Sequence, residues 1–142
     1  MASYASLLDG TFRVVEIDPN GRKFDKVSRL HLREVGDPSE RVEMIMDIHA
    51  ELFKVRPNTE LSINLLLDST PVEYIESDQP SILQDYDYVM YGTCFKFATD
   101  KDNDNLLTVL ISCGGLIVTI KGNKAKLPNF TLDSRIYVML RV

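Results

Sequence analysis

The stretch from Asp87 to Ala98 constrains the fold more than any other part of the sequence, because it carries the densest β-strand pattern. At a period of two, one face of this stretch is β-branched or aromatic throughout: Val89, Tyr91, Thr93, Phe95 and Phe97. The opposite face is also partly apolar, with Tyr88, Met90, Gly92, Cys94 and Lys96. Apolar residues on both faces predict a central strand with neighbours at both edges. Gly92, inside the run, predicts a bulge or a tight bend, as at a barrel corner.

The rest of the chain is a series of short alternating runs separated by turn residues. Strands are predicted at 11–18, 24–35, 41–49, 61–67, 106–112, 116–122 and 134–142, with 51–55 either extending the third run or forming a short strand. Pro19-Asn20-Gly21 and Gly114-Gly115 supply turn chemistry between runs. No helix longer than a turn or two is predicted. About eight short strands with regular turns indicate a β-barrel or a β-sandwich.

One long connection interrupts this pattern, at residues 69–86. It contains Pro71 and Pro80, and the sequence from Asp68 to Asp87 has acidic residues but no Lys or Arg. Ser81 is placed to cap one helical turn through Gln84. A connection this long is usually functional or disordered in a compact domain. The acidic residues are expected to be solvated rather than catalytic.

Composition restricts the classes of function. A chain of 142 residues with a net charge of −5 is expected to form one domain, residues 1–142, without a basic surface for nucleic acid. Its two cysteines, Cys94 and Cys113, lie in strand-like apolar surroundings and are expected to be buried, reduced and not ligands of a metal. The N-terminal sequence has no basic segment followed by a long apolar run, so no signal peptide is predicted. The apolar tract Leu106 to Ile120 is too short and interrupted to span a bilayer.

Motifs that carry chemistry are sparse. Gly114-Gly115 is expected to be a hairpin turn or a bulge rather than a phosphate cradle, because no helix follows it. His31 and His49 have no Cys or His at metal-ligand spacing. The second strand and its approach carry a basic set that predicts a solvated or partner-facing edge, or a phosphate contact: Arg22, Lys23, Lys26, Arg29 and Arg33. The residues therefore indicate a non-enzymatic barrel without cofactor or metal.

Longer blocks of sequence resemble a known family. These blocks cover residues 15–30, 46–53, 85–92, 114–117 with Gly122, and 133–141, and the Tyr88-Val89-Met90-Tyr91-Gly92 block is highly specific. In order and spacing, across nearly the whole chain, they look like the small eighth-type subunit shared by the eukaryotic nuclear RNA polymerases I, II and III. The resemblance implies an all-β fold, an eight-stranded antiparallel barrel related to the OB-fold, with a long central loop at residues 69–86.

The resemblance also implies a function and a location. Members of this family are non-catalytic subunits without a cofactor, and they pack mainly on the largest polymerase subunit. For this chain we therefore expect polymerase partners, a location in the nucleus and nucleolus, no membrane contact and no strong direct binding of nucleic acid. A stand-alone OB-type module that binds single-stranded nucleic acid is the alternative, and an enzyme or small-ligand barrel is a third class.

A docking surface is predicted where the resemblance and the strand pattern coincide. Interfaces are enriched in aromatic residues, Met and Arg. The predicted docking residues are Tyr88, Met90, Tyr91, Gly92, Gly114, Gly115, Leu116 and Ile117, with Arg135 and Tyr137 as weaker candidates. The two apolar faces of residues 87–98 are then explained in one of two ways. Both faces are buried between neighbours, or one face lies in the core and the other against a large partner.

Overall fold

The computed structural model describes residues 4–22, 24–36, 41–70, 81–127 and 129–142. Within them the chain forms eight strands and two short 3₁₀ helices, Ser81–Asp85 and Lys124–Lys126. The strands are β1 (Tyr4–Ile17), β2 (Val27–Glu34), β3 (Glu43–His49), β4 (Glu60–Asp68), β5 (Tyr88–Thr99), β6 (Leu106–Cys113), β7 (Leu116–Asn123) and β8 (Arg135–Arg141).

The strands close into one antiparallel barrel, which confirms the predicted fold. Their order around the barrel is β1-β2-β3-β7-β6-β5-β8-β4, and β4 pairs back with β1. Strand β8 lies between β4 and β5, with Leu65 opposite Val138 on one side and Met90 opposite Val138 on the other. Closure removes free sheet edges, which would otherwise template pairing with other chains.

The barrel interior is filled by alternate residues of every strand. Side chains that are completely shielded from solvent include Phe12, Leu30, Met46, Ile63 and Ile120. These residues come from five different strands, so the core is built from contacts between residues far apart in sequence. The alternation in the sequence is the direct consequence of one face of each strand pointing into this core.

Strand β5 buries one of its two apolar faces in the barrel and leaves the other partly exposed. Tyr88, Met90, Gly92 and Cys94 are buried, whereas Tyr91 and Phe95 point outward and are 43% and 45% exposed. Of the two alternatives predicted at Gly92, a bulge or a tight bend, the bulge is wrong, because the register shift against β6 falls between Cys94 and Lys96. The extra residue turns Phe97 back toward the core, against which its ring packs.

Gly92 is required for another reason, the close approach of β6. A Cβ atom at this position would lie 2.3 Å from the carbonyl oxygen of Ser112 and 2.6 Å from the Sγ of Cys113. The carbonyl oxygen of Ser112 belongs to the backbone of the β5–β6 ladder, in which Thr93 pairs with Ser112, so it cannot move aside. Only a residue without a side chain fits here.

The limits of the first strands also differ from the prediction. Strand β1 begins at Tyr4 rather than at residue 11, because a register shift between Ser6 and Leu8 buries the consecutive residues Leu7 and Leu8 and breaks the alternation. Strand β2 begins at Val27 rather than at residue 24, since Lys26 has a φ of 66°. Residues 51–55 form no strand.

A second, smaller apolar cluster lies outside the barrel on β4 and β8. It is formed by Leu66, Tyr137 and Met139, against which Leu83 and Tyr86 pack. The predicted helical turn at Ser81 is a 3₁₀ helix that runs to Asp85 and leads into this cluster. Of the predicted 69–86 connection, residues 71–80 lie outside the described residues. Its last residues thus cover the outer face of β8.

Replacing Gly92 by alanine tests the close approach of β5 to β6. We expect Gly92→Ala to lower the free energy of unfolding by about 1–3 kcal/mol, because the new methyl group overlaps backbone atoms. Gly10→Ala is the matched control, since its nearest neighbour is a side-chain atom and not backbone, Oε2 of Glu34 at 3.1 Å. Urea unfolding of both variants checks this, and equal stabilities would contradict the packing described for Gly92.

Candidate partner interface

The predicted docking residues are brought together from different strands. Because neighbouring strands are antiparallel, β3 and β8 end where β5 and β7 begin. We call this the turn end of the barrel, since it holds the Gly114–Gly115 turn between β6 and β7. The sequence blocks that carry the family resemblance therefore meet at and beside this end.

Tyr88 and Met90 face the interior, which corrects their assignment to an outward surface. They are only 8% and 7% exposed and belong to the main core cluster. The Tyr88 ring stacks on Phe53 with ring centroids 5.3 Å apart, and its hydroxyl accepts a 3.0 Å hydrogen bond from the backbone N–H of His49. Burial raises the pKa of Tyr88. These residues close the turn end from inside, so substituting them disturbs folding.

Tyr91 lies on the outer wall and makes a specific polar contact. Its hydroxyl donates a hydrogen bond of 3.0 Å to Oδ2 of Asp68 at the end of β4. Its ring packs on Tyr137 of β8, with centroids 4.5 Å apart. Partial burial, followed by the hydrogen bond to Asp68, raises the pKa of Tyr91 to about 12. The hydroxyl is therefore a permanent donor at neutral pH, and it ties β5 to β4 across β8.

Asp68 is the centre of a polar cluster where the chain leaves β4. Its Oδ1 accepts a hydrogen bond of 3.0 Å from the backbone N–H of Thr70, and Arg135 donates to the carbonyl oxygen of Thr70. Burial alone would raise the pKa of Asp68, but hydrogen bonds from Thr70 and Tyr91 and the charge of Arg135 outweigh it and lower the pKa. The carboxylate stays charged and holds the start of the long connection against the wall.

The predicted hairpin turn at Gly114-Gly115 is confirmed. Cys113 pairs with Leu116, and the two glycines between them have φ angles of 61° and 96°. These angles are typical of a type I′ turn, which residues other than glycine adopt with strain. Leu116 packs against the core, whereas Ile117 is half-buried. The turn projects from the barrel wall and presents backbone atoms to solvent, because its two glycines have no side chains.

A second carboxylate attaches this hairpin to β3. Asp47 accepts a hydrogen bond of 3.1 Å from the backbone N–H of Ile117, just beyond the last paired residues of β3 and β7. The same carboxylate accepts a 2.8 Å hydrogen bond from Nε of Arg29. The carboxylate of Asp47 thus accepts the hydrogen bond of Ile117 where the backbone pairing of β3 with β7 has ended, and it holds the hairpin to β3.

The sequence alone does not single out Asp47 and Asp68 as site residues. The signal in the sequence is weak: Asp47 stands on the polar face of an alternating run, and Asp68 follows the last apolar residue of another. Nothing in one sequence indicates that these side chains join strands, because their partners at residues 117 and 91 are distant in the chain.

Three members of the basic set on β2 and its approach lie near acidic residues, whereas Lys26 has no ion pair among the described residues. Arg29 pairs with Asp47, Arg33 lies 3.7 Å from Glu43, and Arg22 lies 3.9 Å from Asp18. Lys23 lies outside the described residues. Phosphate binding needs cations that are free to replace counterions. These ion pairs favour the solvated or partner-facing edge over the phosphate contact.

Both cysteines lie in the barrel core. Cys94 and Cys113 are both free and buried, and burial raises the pKa of Cys113 to about 11. Within the described ranges, no three His, Cys, Asp or Glu side chains are arranged to hold a metal ion. Nor does any helix in the described part of the chain have the length and apolarity needed to cross a membrane.

Comparison with known proteins decides which family the fold represents. The family model for RNA polymerase Rpb8 matches residues 9–142. The chain belongs to the RNA polymerase Rpb8 family. The match covers all the blocks on which the resemblance was based.

Individual relatives agree over almost their whole length. The "DNA-directed RNA polymerases I, II, and III subunit rpabc3" of Dictyostelium discoideum is 35% identical, over 95% of this chain and 96% of the relative. The protein of the same description from Saccharomyces cerevisiae is 30% identical, over 96% and 97%. The "DNA-directed RNA polymerases II, IV and V subunit 8B" of Arabidopsis thaliana is also 30% identical, over 99% of both chains.

Replacing Tyr91 by phenylalanine tests the polar cluster on the wall. Tyr91→Phe keeps the ring on Tyr137 but removes the hydrogen bond to Asp68, and we expect a loss of about 1.5–3 kcal/mol in the free energy of unfolding at neutral pH. Tyr4→Phe is the matched control, because Tyr4 also contacts Tyr137 and its hydroxyl makes no hydrogen bond within the described residues.

The same variant has a defined pH dependence. The hydrogen bond helps to lower the folded-state pKa of Asp68, so it stabilises the protein above the unfolded value of about 3.9. That contribution is lost as the pH falls through the lower folded-state pKa. Urea unfolding across this pH range should show that the free energies of unfolding of wild type and Tyr91→Phe converge in acid. A constant difference at every pH would contradict a charged Asp68 as the acceptor.

Proposed function

We propose that this chain is a structural subunit, without catalytic residues of its own, common to the nuclear RNA polymerases I, II and III. The observation that carries the proposal is the match over nearly full length to relatives described as subunits of these enzymes. The description of the plant relative, with polymerases II, IV and V, fits a subunit that serves several polymerases. The expected location is the nucleus, including the nucleolus.

The described residues support a role in assembly rather than in catalysis. Asp47 and Asp68 each accept a hydrogen bond from a backbone N–H group, and through Ile117 and Tyr91 they join strands. A rigid closed barrel is suited to holding surfaces of larger subunits in fixed relative positions. Its contribution to transcription would then be the stability of the assembled enzyme.

We propose the largest polymerase subunit as the main partner, and the region around the Gly114–Gly115 turn as the docking surface. Tyr91, Gly114, Gly115 and Ile117 contribute the contact atoms, since an exposed aromatic ring and a bare turn allow close approach of a partner. Four further residues lie behind this surface and support it by packing: Gly92, Leu116, Arg135 and Tyr137.

Replacing Ile117 by arginine tests the docking surface without removing a side chain from the barrel core. In cells that express the tagged chain, wild type should co-purify with the largest subunits of several polymerases. Ile117→Arg should lower their recovery about tenfold or more, as expected for a central contact residue. Val15→Arg is the matched control, a β-branched residue 39% exposed on β1 and outside the proposed surface.

Circular dichroism melting of each purified chain separates docking from folding. Both variants should melt within a few degrees of wild type. Unchanged recovery of the largest subunits by a folded Ile117→Arg chain would show that the surface is wrong. Failure of the wild-type chain to recover any polymerase subunit would instead contradict the proposed function as a whole.

A further inference from the structure

The turn end of the barrel contains a cavity that the proposed docking surface does not use. It has a volume of about 230 Å³ and lies where β1 and β3 end and β2 begins. Its lining includes the apolar residues Ile17, Leu30, Ile48, Phe53 and Val55, and because Leu30, Ile48 and Phe53 are almost completely buried, they form its floor while polar groups share its surface. The cavity therefore reaches from the solvent toward the main core.

The charged residues that line this cavity are both basic, Arg22 and Lys54. The guanidinium of Arg22 donates a hydrogen bond of 3.2 Å to Oγ of the buried residue Ser28, which places its charge beside the apolar floor. Its nearest acid, Asp18, is 3.9 Å away and does not line the cavity. Lys54 is exposed, and the described residues offer it no ion pair.

This charge distribution differs from that of the neighbouring surface groove on β2 and β3. That groove is lined by Asp18 and Asp47 as well as by Arg29, so its charges compensate each other. The cavity, in contrast, has two basic lining residues and no acidic one; Arg22 has Asp18 as a neighbour outside the lining, and Lys54 has no ion pair among the described residues, in a protein whose net charge is −5. Its complement is a group with an apolar body and a neighbouring negative charge.

We infer that the cavity binds a polypeptide segment of another polymerase subunit in which a large apolar side chain stands next to Asp or Glu. The apolar side chain enters between Phe53 and Val55, and the carboxylate pairs with Lys54 and Arg22. The inference rests on the proposed function, since it takes the chain to be part of the polymerase.

The size of the cavity favours a side chain over a free small molecule. Pockets for small-molecule ligands usually measure about 300–1,000 Å³, and this one is smaller at about 230 Å³. The cavity also lies at the same end of the barrel as the Gly114–Gly115 turn. A large partner that covers the turn end can therefore place one segment on the turn and another in the cavity.

Site-specific photo-crosslinking in the assembled polymerase tests the inference. A benzophenone amino acid replaces Leu52, which is 72% exposed and two residues before Lys54, so both cations are kept. After irradiation of the purified complex, mass spectrometry identifies the crosslinked stretch. We expect a segment of another subunit with Asp or Glu within two positions of an aromatic or branched apolar residue.

Charge reversal at the cavity provides the second readout. Lys54→Glu should reduce this crosslink about tenfold, and Lys54→Arg should retain it. The control Lys101→Glu, on the turn between β5 and β6 at the opposite end, should leave it unchanged. The four proteins are compared at equal recovery of polymerase, which removes differences in assembly.

The outcomes separate this inference from the proposed function. If polymerase co-purifies but the crosslink is absent, unaffected by Lys54→Glu, or made to a basic segment, the inference is overturned and the proposed function stands. A crosslink to nucleic acid or to a second copy of this chain overturns it equally. If no polymerase subunit co-purifies with the wild-type chain, the proposed function itself fails.

Discussion

The insertion of the last strand between β4 and β5 is the interaction on which the rest of the structure depends. Strand β8 pairs with β4 from Arg135 to Arg141 and with β5 from Arg135 to Leu140. Without it the barrel is open, since β4 and β5 are not neighbours. Inside the barrel β8 contributes Ile136, Val138 and Leu140, and outside it Tyr137 and Met139 are also buried. This strand therefore joins the two apolar clusters.

The candidate interface follows from this closure. With β8 in place, Tyr91 on β5 comes within reach of Asp68 on β4, and Tyr137 fills the space between them. The same alignment brings the hairpin of β6 and β7 against Gly92, where there is no room for a side chain. Asp47 then holds the start of β7 to β3. Carboxylates that join strands thus keep the wall rigid on both sides of the Gly114–Gly115 turn.

The strands themselves could be predicted from the sequence, because alternation is a local pattern. The Gly114–Gly115 turn could also be predicted from the sequence, since paired glycines between two alternating runs specify a tight hairpin. What alternation cannot reveal is which face of a strand lies inside when both are apolar. In β5 the aromatic face is outside and the face with Tyr88 and Met90 is inside, and a bulge then returns Phe97 to the core. Contacts such as Asp68 with Tyr91 depend on strand order, which local sequence does not encode.

Hydrogen exchange of the backbone amides, compared between the free chain and the chain in purified polymerase, tests the account most directly. It predicts extra protection in the assembly at residues 114–117 and 50–55, which belong to the turn end. Residues 100–105, the turn at the opposite end, should exchange equally in both states. Protection confined to residues 100–105, or no change at residues 114–117, would contradict the claim that the turn end is the surface through which this barrel joins the polymerase.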